Sequence, residues 1–323
     1  MPLANKLTLS ISLDLDNTWS YLKIRGDSTW KEFPSHFPIS FPIILDFLQS
    51  HQLKITFFIV GQDAEMQVDR VWFEKLKPSG HDVGNHSFHH EPWMQQQSEG
   101  IIFDEINKAH MAIVQASGLV PIGFRGPGFS HSLGMLDAVK KMGYLYDTSL
   151  LATTLGPIAR LYYRFWAGKY EPAESEKRNV LFGSFSNAFF PNSPFFWKTS
   201  HGNLLEVPVT TMPFFRTPIH VSYLIWLSQF SKTAARCYLK MCINFCKMCK
   251  LSPSLLLHPP DFLGADDLPA LSFFPGMNLT RDYKLTFVGE VIQELKNHFN
   301  IITLNEQAEH LQKHPEHLKE HSR

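Results

Sequence analysis

Through the first half of the chain, short apolar runs alternate with longer stretches whose apolar residues recur at helical spacing. That rhythm restricts the fold to a parallel α/β arrangement with helices packed outside the strands. It predicts strands at Leu7–Leu13, Ile55–Val60, Asp82–Gly84, Ile122–Phe124 and Tyr144–Tyr146, with helices at Ile39–His51, Val68–Lys77, Ile101–Ser117 and Leu133–Met142. Strand character returns at Leu204–Thr211, Ser254–His258 and Asn300–Thr303, separated by a long helical region over Val221–Lys250 and a helix at Lys284–His298. The 323 residues suit one α/β domain over residues 1–305, with an aromatic, proline-punctuated insertion at about 151–200 and a polar, His-rich tail at 306–323. The tail is expected to be a solvated, fraying helix.

The polar residues fall at the ends of these strands. Asp14 and Asp16 close the first, His86 and His90 follow the third, Arg125 follows the fourth, Asp147 the fifth, and His258 ends a later one. Carboxyl ends of parallel strands share one face, so these clusters are expected to meet in space. His86 and His90 lie four apart, and on a helical turn they would stand on one face and converge on one ion. A carboxylate from Asp14 or Asp16 would complete the set, and imidazole ligands favour zinc or a similar transition metal over magnesium. Two histidines that merely happen to lie four apart are the plainer account, in a chain with 16 of them.

Leu13-Asp14-Leu15-Asp16-Asn17-Thr18 also matches the opening signature of haloacid-dehalogenase-like phosphatases. In that reading Asp14 is a phosphoryl-accepting nucleophile, Asp16 the acid/base, and Asp266-Asp267 the late acidic pair for Mg²⁺. It leaves His86, His90, Arg125 and His258 without a task.

Taken in order, Asp14-Leu15-Asp16, His86-Ser87-Phe88-His89-His90, Arg125-Gly126-Pro127 and Leu256-Leu257-His258 resemble the motifs of the polysaccharide deacetylase family. This is the NodB-homology or carbohydrate esterase 4 group, and the Asp-x-Asp form is similar to its peptidoglycan-deacetylase and lipid-linked aminosugar deformylase branches. The resemblance implies a distorted (β/α) barrel of about seven parallel strands and a metal-dependent hydrolase that removes an N-acyl group, taken as acetyl, from an amino sugar. It implies Asp16, His86 and His90 as metal ligands for Zn²⁺, or Co²⁺ or Ni²⁺ in its place. It also implies Asp14 as general base, Arg125 as the partner that keeps Asp14 ionised and oriented, a backbone N–H near Gly128 as oxyanion donor, and His258 as the acid for the departing amine. The family's aspartate-tryptophan motif is missing, because Asp147-Thr148-Ser149-Leu150 carries no Trp. Asp147 as partner of His258 is therefore open, with Asp261 and Glu206 as candidates and a supporting place in the metal shell as another use for Asp147. Ser87 is expected to cap the turn with its hydroxyl, and His89 has no catalytic role. A catalytically silent glycan-binding relative is a third class.

Thirty basic residues balance 30 acidic ones, which removes nucleic acid from the expected partners. The substrate is expected to be an amino-sugar glycan or a lipid-linked sugar. Aromatic residues crowd the insertion, with Phe165, Trp166, Phe189, Phe190, Phe195, Phe196 and Trp197 beside Arg160, Tyr162, Tyr163, Arg164 and Lys169. They suit either a lid with its own small core or an interfacial patch reaching a membrane surface. Cys237, Cys242, Cys246 and Cys249 fall within one helical stretch and read as core packing before a second metal site. With no disulfide framework, no signal-peptide pattern over Met1–Leu7 and no long apolar run, the expectation is a cytoplasmic protein, at most peripheral at the inner membrane surface.

Overall fold

The computed structural model describes residues 6–156 and 185–321. Strand β1 (Thr8–Leu15) shows how the sequence builds the barrel. Leu9, Ile11, Leu13 and Leu15 join the largest hydrophobic core, whereas Ser10, Ser12 and Asp14 alternate with them and are buried on the opposite face. The inner side of β1 is therefore lined by small polar groups, which leaves room for a large charged side chain.

Strand β1 pairs in parallel with β2 (Thr56–Ile59), followed by β3 (Asp82–Asn85), β4 (Gly123–Phe124) and β5 (Tyr146–Asp147). Strands β6 (Phe195–Thr199) and β7 (Gly202–Glu206) form an antiparallel hairpin whose second strand pairs in parallel with β5. On the other flank of β1 runs β8 (Ser254–Leu257), also parallel. The chain beyond β7 closes the ring: Leu151 bridges Val209, Thr210 N donates to Ser254 O at 3.0 Å, and Ser254 N donates to Thr210 Oγ1 at 2.8 Å. Strands β1–β5, β7 and β8 thus make the expected distorted parallel barrel.

Phe58 and Tyr146 fill its interior, and two glycines make space for them. A Cβ at Gly84 would lie 2.4 Å from the Phe58 ring, and one at Gly123 would lie 2.0 Å from that of Tyr146. Outside pack helices α1 (Thr18–Arg25), α2 (Phe37–Ser50), α3 (Gly61–Glu65), α4 (Gln67–Phe73), α5 (Glu99–Ser117) and α6 (Leu133–Lys141). Ile102, Ile106, Ala109, Ile113 and Ala116 form the buried stripe of α5, and each large side chain of this kind stabilises the fold by about 1.5–3 kcal/mol. Neither α1 nor α3 was visible in the apolar pattern. Each is short, and α1 is set by its ends, with Asn17 capping its first N–H and Gly26 closing it at φ +81°.

The single long helical region expected over Val221–Lys250 is two helices, α7 (Val221–Ser228) and α8 (Lys232–Met248). Ser231 causes the break, because its hydroxyl accepts from Ala234 N and starts a new helix. Cys242 and Cys246 lie buried on α8, where burial pushes their thiols up to about 12, while Cys237 and Cys249 are exposed. Among the described residues these thiols form no metal cluster.

The C-terminal expectation needs a larger correction. After α9 (Arg281–His298), strand β9 (Asn300–Thr303) pairs with the first half of β1 and leads into α10 (Leu304–Lys313). Thr303 and Glu306 form a reciprocal capping box, and Leu304, Gln307 and Ala308 are buried. Leu304 and Ala308 join Phe58 and Tyr146, and Tyr146 Oη donates to Asn305 Oδ1 at 2.7 Å. The helix read as solvated thus plugs the barrel at the amino ends of its strands. Beyond it β10 (Glu320–His321) pairs with β6. The insertion also turns inward where it is described, since Phe190, Phe195 and Trp197 pack with Ile102, Phe124 and Leu204. Phe189 is exposed. Phe165, Trp166, Arg160, Tyr162, Tyr163, Arg164 and Lys169 lie outside the described residues.

Candidate metal centre

The segment after β3 brings two imidazoles together, but not as a helical turn. Residues 86–90 bend through left-handed backbone at Ser87 (φ +61°) and His90 (φ +50°), conformations that cost non-glycine residues energy and persist only where the surroundings impose them. Here they do. Asn85 Oδ1 accepts Ser87 N at 2.9 Å, Gly61 N and Gln62 N donate to Ser87 O and Phe88 O, and the Glu105 carboxylate accepts Phe88 N and His89 N. Phe88 anchors the segment in the core. The expected capping by the Ser87 hydroxyl is not made, because Oγ is buried without a partner among the described residues and Asn85 does that work instead. His89 turns outward onto Glu105.

Asp16, just past β1, meets these rings. Its Oδ1 lies 3.0 Å from His90 Nε2 and 3.4 Å from His86 Nε2, and one ligand atom from each of the three residues lies within 4.8 Å of the others. All three are buried. Asp16 Oδ1 and both ring nitrogens of His90 have no hydrogen-bond partner among the described residues, an expensive arrangement that a cation would relieve at Asp16 Oδ1 and at one of the two nitrogens. Burial would raise the Asp16 carboxyl, yet the adjacent His90 and His86 imidazoles hold it well below its usual range. Burial would likewise lower His86, but the Asp14 charge and the Asp16 contacts outweigh it and raise that imidazole. The cluster therefore favours positive charge at its centre. Two imidazoles and a carboxylate fit a zinc-class ion, with coordination positions left for non-protein ligands. His86 Nδ1 contacts Arg125 O at 2.7 Å, which fixes the tautomer that turns Nε2 toward the ion position.

Asp14 stands beside this set. Its Oδ2 is 3.9 Å from His86 Nε2, while Oδ1 receives Arg125 Nη1. Arg125 is fully buried inside the barrel, as the small side chains of β1 allow. Nη2 donates to Ser12 Oγ (3.0 Å) and Thr148 Oγ1 (3.2 Å), Nε donates to Thr148 O (3.2 Å), and the guanidinium lies 4.3 Å over the Phe58 ring. Ser12 and Thr148 were not legible as site residues, since a serine or threonine within a strand carries no distinguishing pattern.

Asp147 is neither beside His258 nor in the ion cluster. Its carboxylate accepts Ser149 N (3.0 Å) and Ser149 Oγ (2.7 Å), and Ser149 Oγ in turn accepts Gly126 N (2.8 Å). Glu206 sits against it, bound by Trp197 Nε1 at 2.7 Å and Leu150 N at 3.1 Å. Burial and the Asp147 charge raise the Glu206 carboxyl well above its usual range. Asp147 is thus a positioning residue for the Arg125–Gly126 turn. Gly128 occupies the following 3₁₀ turn, Pro127–Phe129, at φ +60°.

Leu13 and Leu257 are the last paired residues of β1 and β8, so His258 stands beside Asp14, on the flank of β1 away from the two ligand imidazoles. Its Nδ1 meets Ser222 Oγ at 3.2 Å, and its backbone N donates to Asp261 Oδ2 at 2.8 Å. Of the carboxylates considered for His258, Asp261 is the one that reaches it. Asp267 is held by Arg281 and Gly264 N, and Asp266 accepts Arg281 N, so the acidic pair required by the phosphatase reading is committed elsewhere.

Behind Asp16 lies a further buried carboxyl that the sequence did not single out. Asp63 Oδ1 accepts Trp19 Nε1 (2.7 Å) and Asn17 Nδ2 (2.9 Å), and burial pushes its carboxyl up to about 8 in spite of both bonds. A carboxyl raised above its unfolded value of about 3.9 stabilises the fold fully below that pH, and the contribution is lost as pH rises toward 8, by up to ~1.4 kcal/mol per pH unit. Asp63→Asn retains an oxygen for both donors and carries no charge. Urea denaturation at pH 5 and pH 8 is expected to show a smaller loss of stability for the variant than for the native protein. Equal losses would contradict the assignment.

A family model for polysaccharide deacetylases matches residues 29–146, a span that includes His86, His90, Arg125 and Gly128. The uncharacterized protein YlxY of Bacillus subtilis (strain 168) is 35% identical over 102 residues, 31% of this chain and 31% of that protein. Peptidoglycan-N-acetylmuramic acid deacetylase PdaA of the same organism is 30% identical over 104 residues, 32% of this chain and 38% of that protein. The chain spans about a third of the length of these curated relatives. The fold superposes on a crystal structure from Mycobacterium smegmatis, provisionally assigned as a polysaccharide deacetylase, with a TM-score of 0.58 at 16% identity, covering 98% of this chain and 94% of that one. Residues 29–146 are thus similar to polysaccharide deacetylases, and the superposition shows that the whole described fold is of the kind seen in that crystal structure.

Proposed function

We propose that the protein is a metal-dependent hydrolase that removes the N-acetyl group from an amino sugar within a glycan. One observation carries this reading: the three ligand atoms of Asp16, His86 and His90 converge, and a second carboxylate, Asp14, stands beside them held by a buried arginine. An amide resists hydrolysis because its carbonyl is a poor electrophile and its nitrogen a poor leaving group. A zinc-class ion held by Asp16, His86 and His90 would supply Lewis acidity at the acyl oxygen and acidify a water.

The chain's own residues then divide the proton transfers. Asp14 takes a proton from the attacking water as the new C–O bond forms, oriented by Arg125 through one of its two oxygens. A backbone N–H of the Pro127–Phe129 turn would face the developing negative charge, and such a donor lowers the barrier by about 3 kcal/mol in comparable sites. His258 gives a proton to the amine nitrogen as the C–N bond breaks, steadied by Ser222 and by the Asp261 contact to its backbone. The products are acetate and a free amino sugar. A glycan binder without activity would have no use for a base and an acid beside the ion pocket.

PdaA supports the reading, since its name gives a peptidoglycan N-acetyl sugar as substrate. Acetate release from an N-acetylated glycan, with zinc, cobalt or nickel supplied, tests it. Release that disappears in His86→Ala is the expected result. Magnesium-dependent phosphate release from a phosphomonoester, insensitive to His86→Ala, would replace it with the phosphatase reading.

A further inference from the structure

Residues 207–260 carry six basic side chains and no acidic one, in a chain whose charges cancel as a whole. Large apolar side chains are exposed in the same stretch. A turn beyond β7 presents Phe214 and Phe215, 69% and 59% exposed, and α8 presents Met241 and Met248. The turn is firmly built. Phe214 (φ +69°) and Arg216 (φ +57°) take left-handed backbone, which such residues hold only where the surroundings impose it. Arg216 N donates to Met212 O at 2.9 Å, Met212 N donates to Thr217 O at 2.8 Å, and Arg216 O accepts Thr153 Oγ1 at 2.9 Å.

The turn and the helix form one patch. Between ring centroids, Phe245 of α8 lies 5.6 Å from Phe214 and 6.1 Å from Phe215. Met241, Phe245 and Met248 fall at i, i+4 and i+7, on one stripe of the helix. Core packing does not account for that stripe, since α8 buries Ala235, Leu239, Cys242, Ile243 and Cys246 on another face. Basic groups border it. Lys247 and Lys250 are exposed to either side of Met248 in the sequence, and Arg216 Nη1 is buried without a hydrogen-bond partner among the described residues. Lys232 and Arg236 pair with Glu290 of α9, and Lys240 shares a groove with Glu290 and Glu294, so these three count for less.

We infer that this patch docks the protein on an anionic lipid surface, with Phe214 and Phe215 entering the headgroup region and Arg216, Lys247 and Lys250 meeting lipid phosphates. The inference is independent of the hydrolytic reading. Aromatic rings settle at headgroup level, and basic groups beside them add attraction to anionic lipid. A second copy of the chain is a poorer occupant, because a symmetric contact sets the same acid-free surface against itself. Side chains this exposed at a turn tip and along a helix project outward, which suits a plane better than a peptide held in a groove. The described aromatics Phe190, Phe195 and Trp197 of the insertion turn inward instead.

Cosedimentation of the full chain with vesicles tests this, using equal parts phosphatidylcholine and phosphatidylglycerol beside phosphatidylcholine alone. Expected at low salt is binding to the anionic vesicles about tenfold or more tighter than to the neutral ones, weakening as salt is raised. Phe214→Ser with Phe215→Ser should remove most of the binding, and Lys247→Glu with Lys250→Glu should weaken it by about tenfold or more. All four side chains are exposed, so both double variants should keep the fold, which circular dichroism checks. Protein left in the supernatant with anionic vesicles, equal binding to the two vesicle types, or binding unchanged in either double variant would overturn the docking surface. Light scattering in solution covers the competing occupant. A native dimer that Phe214→Ser with Phe215→Ser disperses, without vesicle binding, would make the patch a contact between copies and overturn the inference as well.

Discussion

Asp14→Asn is expected to lower the rate of acetate release by roughly 10³-fold while the protein still takes up its ion. The separation of these two effects is the informative part. Asp14 Oδ2 lies 3.9 Å from His86 Nε2, whereas Asp16 Oδ1 is 3.0 and 3.4 Å from the two imidazoles, so the structure distinguishes a carboxylate within the ligand set from one beside it. Asparagine matches aspartate in shape and can still accept from Arg125, so orientation survives while the capacity to take a proton and the charge that pairs with Arg125 are lost. Steady-state kinetics with zinc-loaded protein, set beside its metal content, read both quantities. A variant that lost the ion along with activity would make Asp14 a ligand; one that kept near-native turnover would remove it as the base.

The second large effect falls on stability. Arg125→Met is expected to destabilise the fold by about 3–5 kcal/mol, since breaking a buried ion pair from one side strands the remaining charge. Asp14 is 4% exposed and has no solvent to compensate it, and Ser12 Oγ and Thr148 Oγ1 lose their donor at the same time. Methionine retains much of the volume, so the loss would be mainly electrostatic. The double variant Asp14→Asn with Arg125→Met should recover part of the loss, because no buried charge then remains without its partner. Urea denaturation of the four proteins gives the coupling. A loss below ~1 kcal/mol in the single variant would mean that Arg125 is less essential to the barrel interior than its five donor groups imply.

The barrel itself was legible because alternating strands and amphipathic helices reflect packing that the whole chain shares. Leu9, Ile11, Leu13 and Leu15 mark β1 by period two, and the α5 stripe from Ile102 to Ala116 marks its helix by period 3.6. The three converging residues were legible for another reason, as Asp16, His86 and His90 are residue types with few other uses at strand ends. The geometry joining them was not. Helical spacing suggested a turn at residues 86–90, but the rings converge through left-handed bends held by Asn85, Glu105 and the chain at Gly61. Glu105 and Gly61 are distant in sequence, and only Asn85 is local.

The same limit explains the tail. His310, His314 and His317 make its sequence look solvated, yet Leu304 and Ala308 are enough to plug the barrel because Phe58 and Tyr146 await them there. Asp147 shows the opposite error: position alone suggested a catalytic partner, and the hydrogen bonds through Ser149 make it a support for the Arg125–Gly126 turn.

The most direct test of the metal centre is the transition-metal content of purified protein after dialysis, native beside His86→Ala. Expected is about one zinc-class ion per chain in the native protein and its loss in the variant, since two remaining protein ligands form a much weaker site. Equal metal content in the two proteins, or a native protein that takes up no transition metal when zinc, cobalt or nickel is supplied, would contradict the convergence of Asp16, His86 and His90 on a single ion.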